Sequence, residues 1–157
     1  MSIIFSRGCE YGLQAMLYLA AQPQGTPVLQ RDISDALKIP PHFLGKVLQM
    51  LVRSRLVISQ RGKAGGFVLG KPSHDITPFD IIYAIDGPVF LDGCVLGFSD
   101  CNDDVPCPVH VEWKSIKQNI IQLLQNKSIE ELSQEIGIKL DFIKHLFQGR
   151  DPFNKKN

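Results

Sequence analysis

Apolar positions recur at helical spacing over residues 7–22, where Leu13, Met16, Leu17 and Ala20 form a stripe that Pro23 and Gly25 bring to an end. A short second helix is expected over 30–37, with Ile33, Ala36 and Leu37 inward, before a break at Ile39-Pro40-Pro41. Proline is tolerated in the first helical turn, so Pro41 can open a third helix over 41–53. There Leu44, Val47, Leu48, Leu51 and Val52 repeat at i, i+3, i+4, i+7 and i+8, while His42, Gly45, Lys46, Gln49 and Arg53 occupy the opposite face. Period and length then change. Leu56-Val57-Ile58-Ser59 and Phe67-Val68-Leu69 are short apolar strands, and Gln60–Gly66 between them is a glycine-rich turn, which predicts a β-hairpin. Thr77-Pro78 starts another helix, with threonine as cap and proline in the first turn; Ile81, Ile82, Ala84 and Ile85 continue it and Gly87-Pro88 stops it. A longer helix is expected over 109–126, with Trp113, Ile116, Ile120, Leu123 and Leu124 on one face, and Ser128 to Glu131 fits a capping box for one more. The fold class is therefore mainly α with a small β-hairpin.

Three helices followed by a hairpin is the winged helix-turn-helix order, in which the third helix enters the DNA major groove. Charge supports that reading for one stretch. Between Lys38 and Lys71 lie seven basic residues, Lys38, Lys46, Arg53, Arg55, Arg61, Lys63 and Lys71, and no acid. From Pro72 to Glu112 the balance reverses, with eight acids and neither lysine nor arginine. A basic block this local implies a polyanionic partner for that block alone. His42, Gly45 and Lys46 are the candidates for base reading, with Gln49 for a base or a phosphate and Arg53 further along the same face; Gly45 reads nothing but admits close approach. Arg61 and Lys63 at the hairpin tip are placed for phosphates or the minor groove.

Composition bounds the rest. At 157 residues and 44% apolar, the chain is one compact domain or a small domain with an appended helical arm. It has no apolar run near the ~18 residues that span a bilayer, and Met1–Arg7 lacks the features of a signal peptide. No membrane partner and a cytoplasmic location with reduced thiols are expected.

Between the last two long helices, Cys94, Cys101 and Cys107 fall within fourteen residues, and His110 follows. Gly97, Asp100, Asn102, Asp103, Asp104, Pro106 and Pro108 fill the gaps, so this stretch is a loop. Thiolates and imidazole on one loop are a soft-metal donor set. The gaps of six, five and two residues are wider than zinc knuckles and suit an iron–sulfur cluster, while zinc in a Cys₃His site and free redox thiols stay open. Cys9, alone in the first helix, reads as a small buried hydrophobe, and Trp113 as a residue of the helix interface. An alternative for the cysteines is a small Cys-dependent oxidoreductase, although no nucleophile elbow or phosphate loop accompanies them.

These residues together resemble the winged-helix transcriptional regulators of the IscR/NsrR family, iron–sulfur cluster-sensing repressors. The resemblance covers roughly residues 5–126 and is most specific in Arg61-Gly62-Lys63-Ala64-Gly65-Gly66-Phe67-Val68-Leu69-Gly70-Lys71, which looks like the family's wing; Asp80-Ile81-Ile82-Tyr83-Ala84-Ile85-Asp86-Gly87 also fits. It implies a homodimer through the helix at 109–126, with Trp113, Ile116, Ile120 and Leu123 in the contact, binding a roughly palindromic double-stranded DNA operator. It also implies Cys94, Cys101 and Cys107 as the thiolate ligands. For the fourth ligand the family offers two patterns. His110 matches the type with a 2Fe–2S cluster, and Glu10 of the partner subunit matches the type with a 4Fe–4S cluster. The first gap is one residue longer than is usual in the family. The implied organisation is a DNA-binding domain over 1–88, a cysteine-rich cluster loop over 89–108, a dimerisation helix with C-terminal helices over 109–150, and a loose tail over 151–157. A zinc-binding or cluster-free thiol-redox regulator is the alternative.

Overall fold

The computed structural model describes residues 5–91 and 93–137. The expected loose tail at 151–157, and the expected C-terminal helices beyond 137, lie outside them. The elements run α1 (Arg7–Ala20), α2 (Gln30–Leu37), α3 (Pro41–Arg53), β1 (Val57–Gln60), β2 (Gly66–Leu69), α4 (Pro78–Asp86) and α5 (His110–Gln125). Residues 129–137 are helical as well. The fold is mainly helical, with the winged helix-turn-helix order expected from the sequence.

The α2–turn–α3 unit forms for local reasons. Lys38 adopts the left-handed conformation (φ 57°) that ends α2, and Pro41 supplies the preset φ of the next helix's first turn. The buried Ser34 hydroxyl donates to Ile39 O at 2.6 Å, which closes the turn without leaving a buried polar atom unpaired. Leu44, Leu48 and Leu51 of α3 are fully buried beside Met16, Ile33, Val57, Ile76, Ile81 and Ile129. Each such side chain contributes roughly 1.5–3 kcal/mol through burial. Ile129 matters for the layout, because its N–H donates to Ile76 O at 2.8 Å and its side chain joins the core of the N-terminal helices. The chain beyond α5 thus returns to the domain it left at Gly87.

Two inward faces differ from those the pattern predicts. In α1 the fully covered positions are Cys9, Gly12, Ala15, Met16 and Leu19, whereas Leu13, Leu17 and Ala20 are only half-buried. The helix is apolar nearly all round, so spacing alone does not choose a face. Packing chooses the one with small residues, where Gly12 lies against Ile85 of α4 and Val47 of α3. In α2, Ala36 is exposed and Ser34 is buried in its place.

β1 and β2 pair antiparallel, Val57 with Leu69 through to Gln60 with Gly66. Val28 adds an isolated bridge on the far side of β2, exchanging both backbone hydrogen bonds with Phe67 at 2.8 and 3.0 Å. That bridge explains Gly66. Its φ is +152°, and a Cβ there would stand 2.6 Å from Val28 O. Gly66→Ala should lower stability by about 3 kcal/mol, combining backbone strain with a steric clash. Urea unfolding checks this: a midpoint shift worth less than about 0.5 kcal/mol would contradict the close approach.

Candidate functional site

Two sets of side chains stand out. The first is basic. All seven cations between Lys38 and Lys71 are exposed, and none forms an ion pair with a described acid. Of the residues singled out on α3, His42, Lys46, Gln49 and Arg53 are exposed, and so are Arg61 and Lys63 at the hairpin tip. Gly45 differs: it is half-buried, and a Cβ there would lie 3.1 Å from Gln30 Nε2. Gln30 in turn donates to Pro41 O at 2.8 Å. The space left by Gly45 is therefore taken by the side-chain amide of Gln30 at the start of α2. Two residues were missed in the sequence. Gln30 braces the turn, and Phe43 is 48% exposed in the first turn of α3 beside His42. An exposed phenylalanine in an otherwise polar face was the available signal for the second.

The second set is the cysteine loop. The sulfurs of Cys94, Cys101 and Cys107 lie within 4.8 Å of one another, and the Cys94 and Cys107 sulfurs are 3.6 Å apart. His110 Nδ1 is 3.1 Å from Cys101 Sγ, and its Nε2 is 2.9 Å from Asp103 Oδ1. Lys114 Nζ holds the same carboxylate at 2.8 and 2.7 Å. Local structure produces this convergence. Asn102 Oδ1 accepts from the N–H groups of Asp104 and Val105, both at 2.9 Å, in an Asx turn that folds the middle of the loop. His110 opens α5 with its N–H donating to Cys107 O at 3.0 Å, and the Trp113 indole N–H donates to Gly93 O at 2.8 Å, tying the start of the loop to the helix. Glu10, the other candidate ligand, lies in the first turn of α1, outside the three-thiol group.

The thiols are not equivalent. Partial burial opposes ionisation of Cys94, but the N–H groups of Phe98 and Leu96 and the neighbouring thiols Cys107 and Cys101 stabilise its thiolate and bring its pKa down to about 7. Cys107 is pushed up, by desolvation first and then by its hydrogen bonds to Cys101 and Cys94. Cys9 is fully buried, and desolvation, with the charge of Asp86 added, raises its pKa to about 12. In reduced, metal-free protein, iodoacetamide should label Cys94 first, more slowly as the pH falls through about 7, and Cys9 only after denaturation. Peptide mass spectrometry checks the order; prompt labelling of Cys9 would contradict its burial.

A profile of the Rrf2 family, described as "Iron-dependent Transcriptional regulator", matches residues 5–135. The chain belongs to the Rrf2 family. It is 34% identical over 128 residues to the HTH-type transcriptional regulator IscR of Photorhabdus laumondii, covering 80% of this chain and 77% of that one. It is 33% identical over 125 residues to the IscR regulator of Vibrio campbellii, covering 80% and 74%. Among solved structures, CymR, the global cysteine regulator of B. subtilis, is similar with a TM-score of 0.72 and 27% identity over 85% of this chain and 98% of that one. T. potens IscR is similar at 0.67 and 26% identity, covering 86% and 90%. These Rrf2 relatives are named as transcriptional regulators, which sets aside the oxidoreductase considered from the cysteines alone. A regulator of this family acts on DNA, and no described helix is long and apolar enough to cross a membrane.

The fifth helix carries a further feature. None of its residues is buried. Ile116 is 48% and Leu123 73% exposed, while Trp113 and Ile120 are half-buried. An apolar face this open on an isolated chain is unusual for a helix of a monomer.

Proposed function

We propose that this protein is a homodimeric transcriptional repressor whose binding to a roughly palindromic operator is controlled by an iron–sulfur cluster that senses iron, redox state or nitric oxide. The observation that carries the reading is the convergence of three thiols and one imidazole on a loop that runs directly into α5, in a chain of an iron-dependent family. The donor set fits the group: soft thiolates with one borderline nitrogen, and a carboxylate behind the imidazole rather than among the sulfurs. Cys94, Cys101, Cys107 and His110 would hold it. The proximity of His110 Nδ1 to Cys101 favours the histidine over Glu10 of the partner subunit, and with it the 2Fe–2S form. When bound, the cluster supplies a centre that reacts with oxidants or nitric oxide and can be lost.

The chain's own residues do the rest. His42, Lys46, Gln49 and Arg53 face the major groove, with Gly45 leaving room for the Gln30 amide that braces the turn, and Arg61 and Lys63 hold phosphates at the flanking groove. Trp113, Ile116, Ile120 and Leu123 of α5 pair with their copies in a second chain, which puts two α3 helices on two half-sites. The loop is fastened to α5 through Trp113 and His110, α5 packs on α4, and α4 packs on α1 and α3. Asp86 at the end of α4 accepts from the Ser6 N–H at 3.0 Å and from the Ser6 hydroxyl. Ordering the loop therefore bears on the position of the recognition helices. Its release changes their separation and so the affinity for DNA.

One observation favours a second reading, zinc in a Cys₃His site. Donors on one tetrahedral ion at about 2.3 Å lie roughly 3.8 Å apart, which the Cys94–Cys107 spacing of 3.6 Å also satisfies. Footprinting and sedimentation with cluster-loaded and apo protein test the proposed function. The expected result is a dimer that protects a site with two-fold symmetry and whose affinity differs between the two forms. A monomer, or equal affinity in both forms, would overturn it.

A further inference from the structure

We infer that Asp103 is a positioning residue which, clamped by Lys114, fixes the tautomer and orientation of His110 so that Nδ1 faces the metal. The inference rests on the cluster reading above and deepens it. His110 presents its two ring nitrogens to different partners, Nε2 to the Asp103 carboxylate at 2.9 Å and Nδ1 to Cys101 Sγ at 3.1 Å. An ionised carboxylate can only accept, so in the neutral imidazole that binds a metal Nε2 carries the hydrogen and Nδ1 presents its lone pair toward the sulfurs. That is the arrangement in which a second group orients a metal-binding imidazole and raises its basicity.

The carboxylate is itself held. Lys114 stands four residues after His110 on the same face of α5 and contacts both Asp103 oxygens. The Asn102 turn fixes the backbone on the other side. The contrast in exposure fits an orienting role. The His110 side chain is 16% exposed and Asp103 71%, so the contact between them adds little to stability, while its geometry decides where a half-buried ring points. A histidine free to rotate about its side-chain bonds would present either nitrogen, or neither, to the sulfurs.

The test compares Asp103→Ala, Asp103→Asn and the unaltered protein, each purified anaerobically with its cluster, by absorbance, reduction potential and rate of cluster loss to an iron chelator. Asp103→Ala should lose its cluster about tenfold faster, with a raised potential because a negative charge beside the centre is gone. Asp103→Asn keeps an acceptor for Nε2–H and should retain most of the kinetic stability with the potential still raised. In a His110→Cys background, where a thiolate needs no orienting carboxylate, Asp103→Ala should leave the loss rate unchanged. If that background does not load, the potential of Asp103→Asn against the unaltered protein decides. Unaltered rate and potential in Asp103→Ala, or equal acceleration with cysteine at 110, would overturn the inference while leaving the cluster reading intact. A protein that holds no cluster before substitution would overturn both.

Discussion

Replacing Cys101 by alanine should give a colourless protein that retains neither iron nor sulfide, folds normally, and binds its operator with an affinity changed by roughly 5–150-fold. Cys101 is the residue to remove because its sulfur meets both sides of the site: it belongs to the three-thiol group and is the sulfur that His110 approaches. Its loss leaves two thiols and an imidazole with no common partner. The fold should not suffer, since the side chain is half-buried in a surface loop and does not join the core around Met16, Leu48 and Ile81. Circular dichroism and a thermal melt separate the two effects. Full iron content in the Cys101→Ala protein would remove that cysteine from the site, and an unchanged operator affinity would detach the site from DNA binding.

Removing both cations at the hairpin tip should have the second large effect. Each cation that neutralises a phosphate contributes about 0.9 to the slope of log K against log salt. Arg61→Ala with Lys63→Ala takes four cations from a dimer, so the slope should fall by roughly 4 and affinity near 0.1 M salt by on the order of 10²–10³-fold. The loss should be similar for operator and unrelated DNA, because phosphate contacts carry no sequence information. Lys46→Ala should behave differently, weakening operator binding more than binding to unrelated DNA. Stability should stay within about 0.5 kcal/mol in both cases, as these side chains are exposed and make no ion pair with a described acid. Fluorescence anisotropy across a salt series reads slope and affinity together; an unchanged slope would place the wing away from DNA.

The elements were legible in the sequence wherever a residue type forces the backbone. Pro41, the Gly-rich turn and the Thr77-Pro78 start set α3, the hairpin and α4 within a residue of where they lie, and Thr77 caps α4 as expected. The face of α1 was not legible, because a helix apolar on most sides leaves the choice to packing against Ile85 and Val47. Nor was the occupant of the space beside Gly45, which depends on how α2 crosses α3. The cysteines announced a loop able to hold a metal by type and spacing, and their sulfurs do converge. That Asp103 stands behind His110 did not show, since they lie seven positions apart and the fold of the loop around Asn102 brings them together. Lys114 was closer to hand: its spacing of four from His110 on one helix puts both on one face.

Cluster binding itself is read from an absorbance spectrum of anaerobically purified protein, with iron and acid-labile sulfide counted per chain. The protein should be coloured, with iron and sulfide in equal amounts, roughly two of each per chain for the three-cysteine, one-histidine site. Colourless protein holding zinc, or holding no metal after anaerobic reconstitution with iron and sulfide, would contradict it.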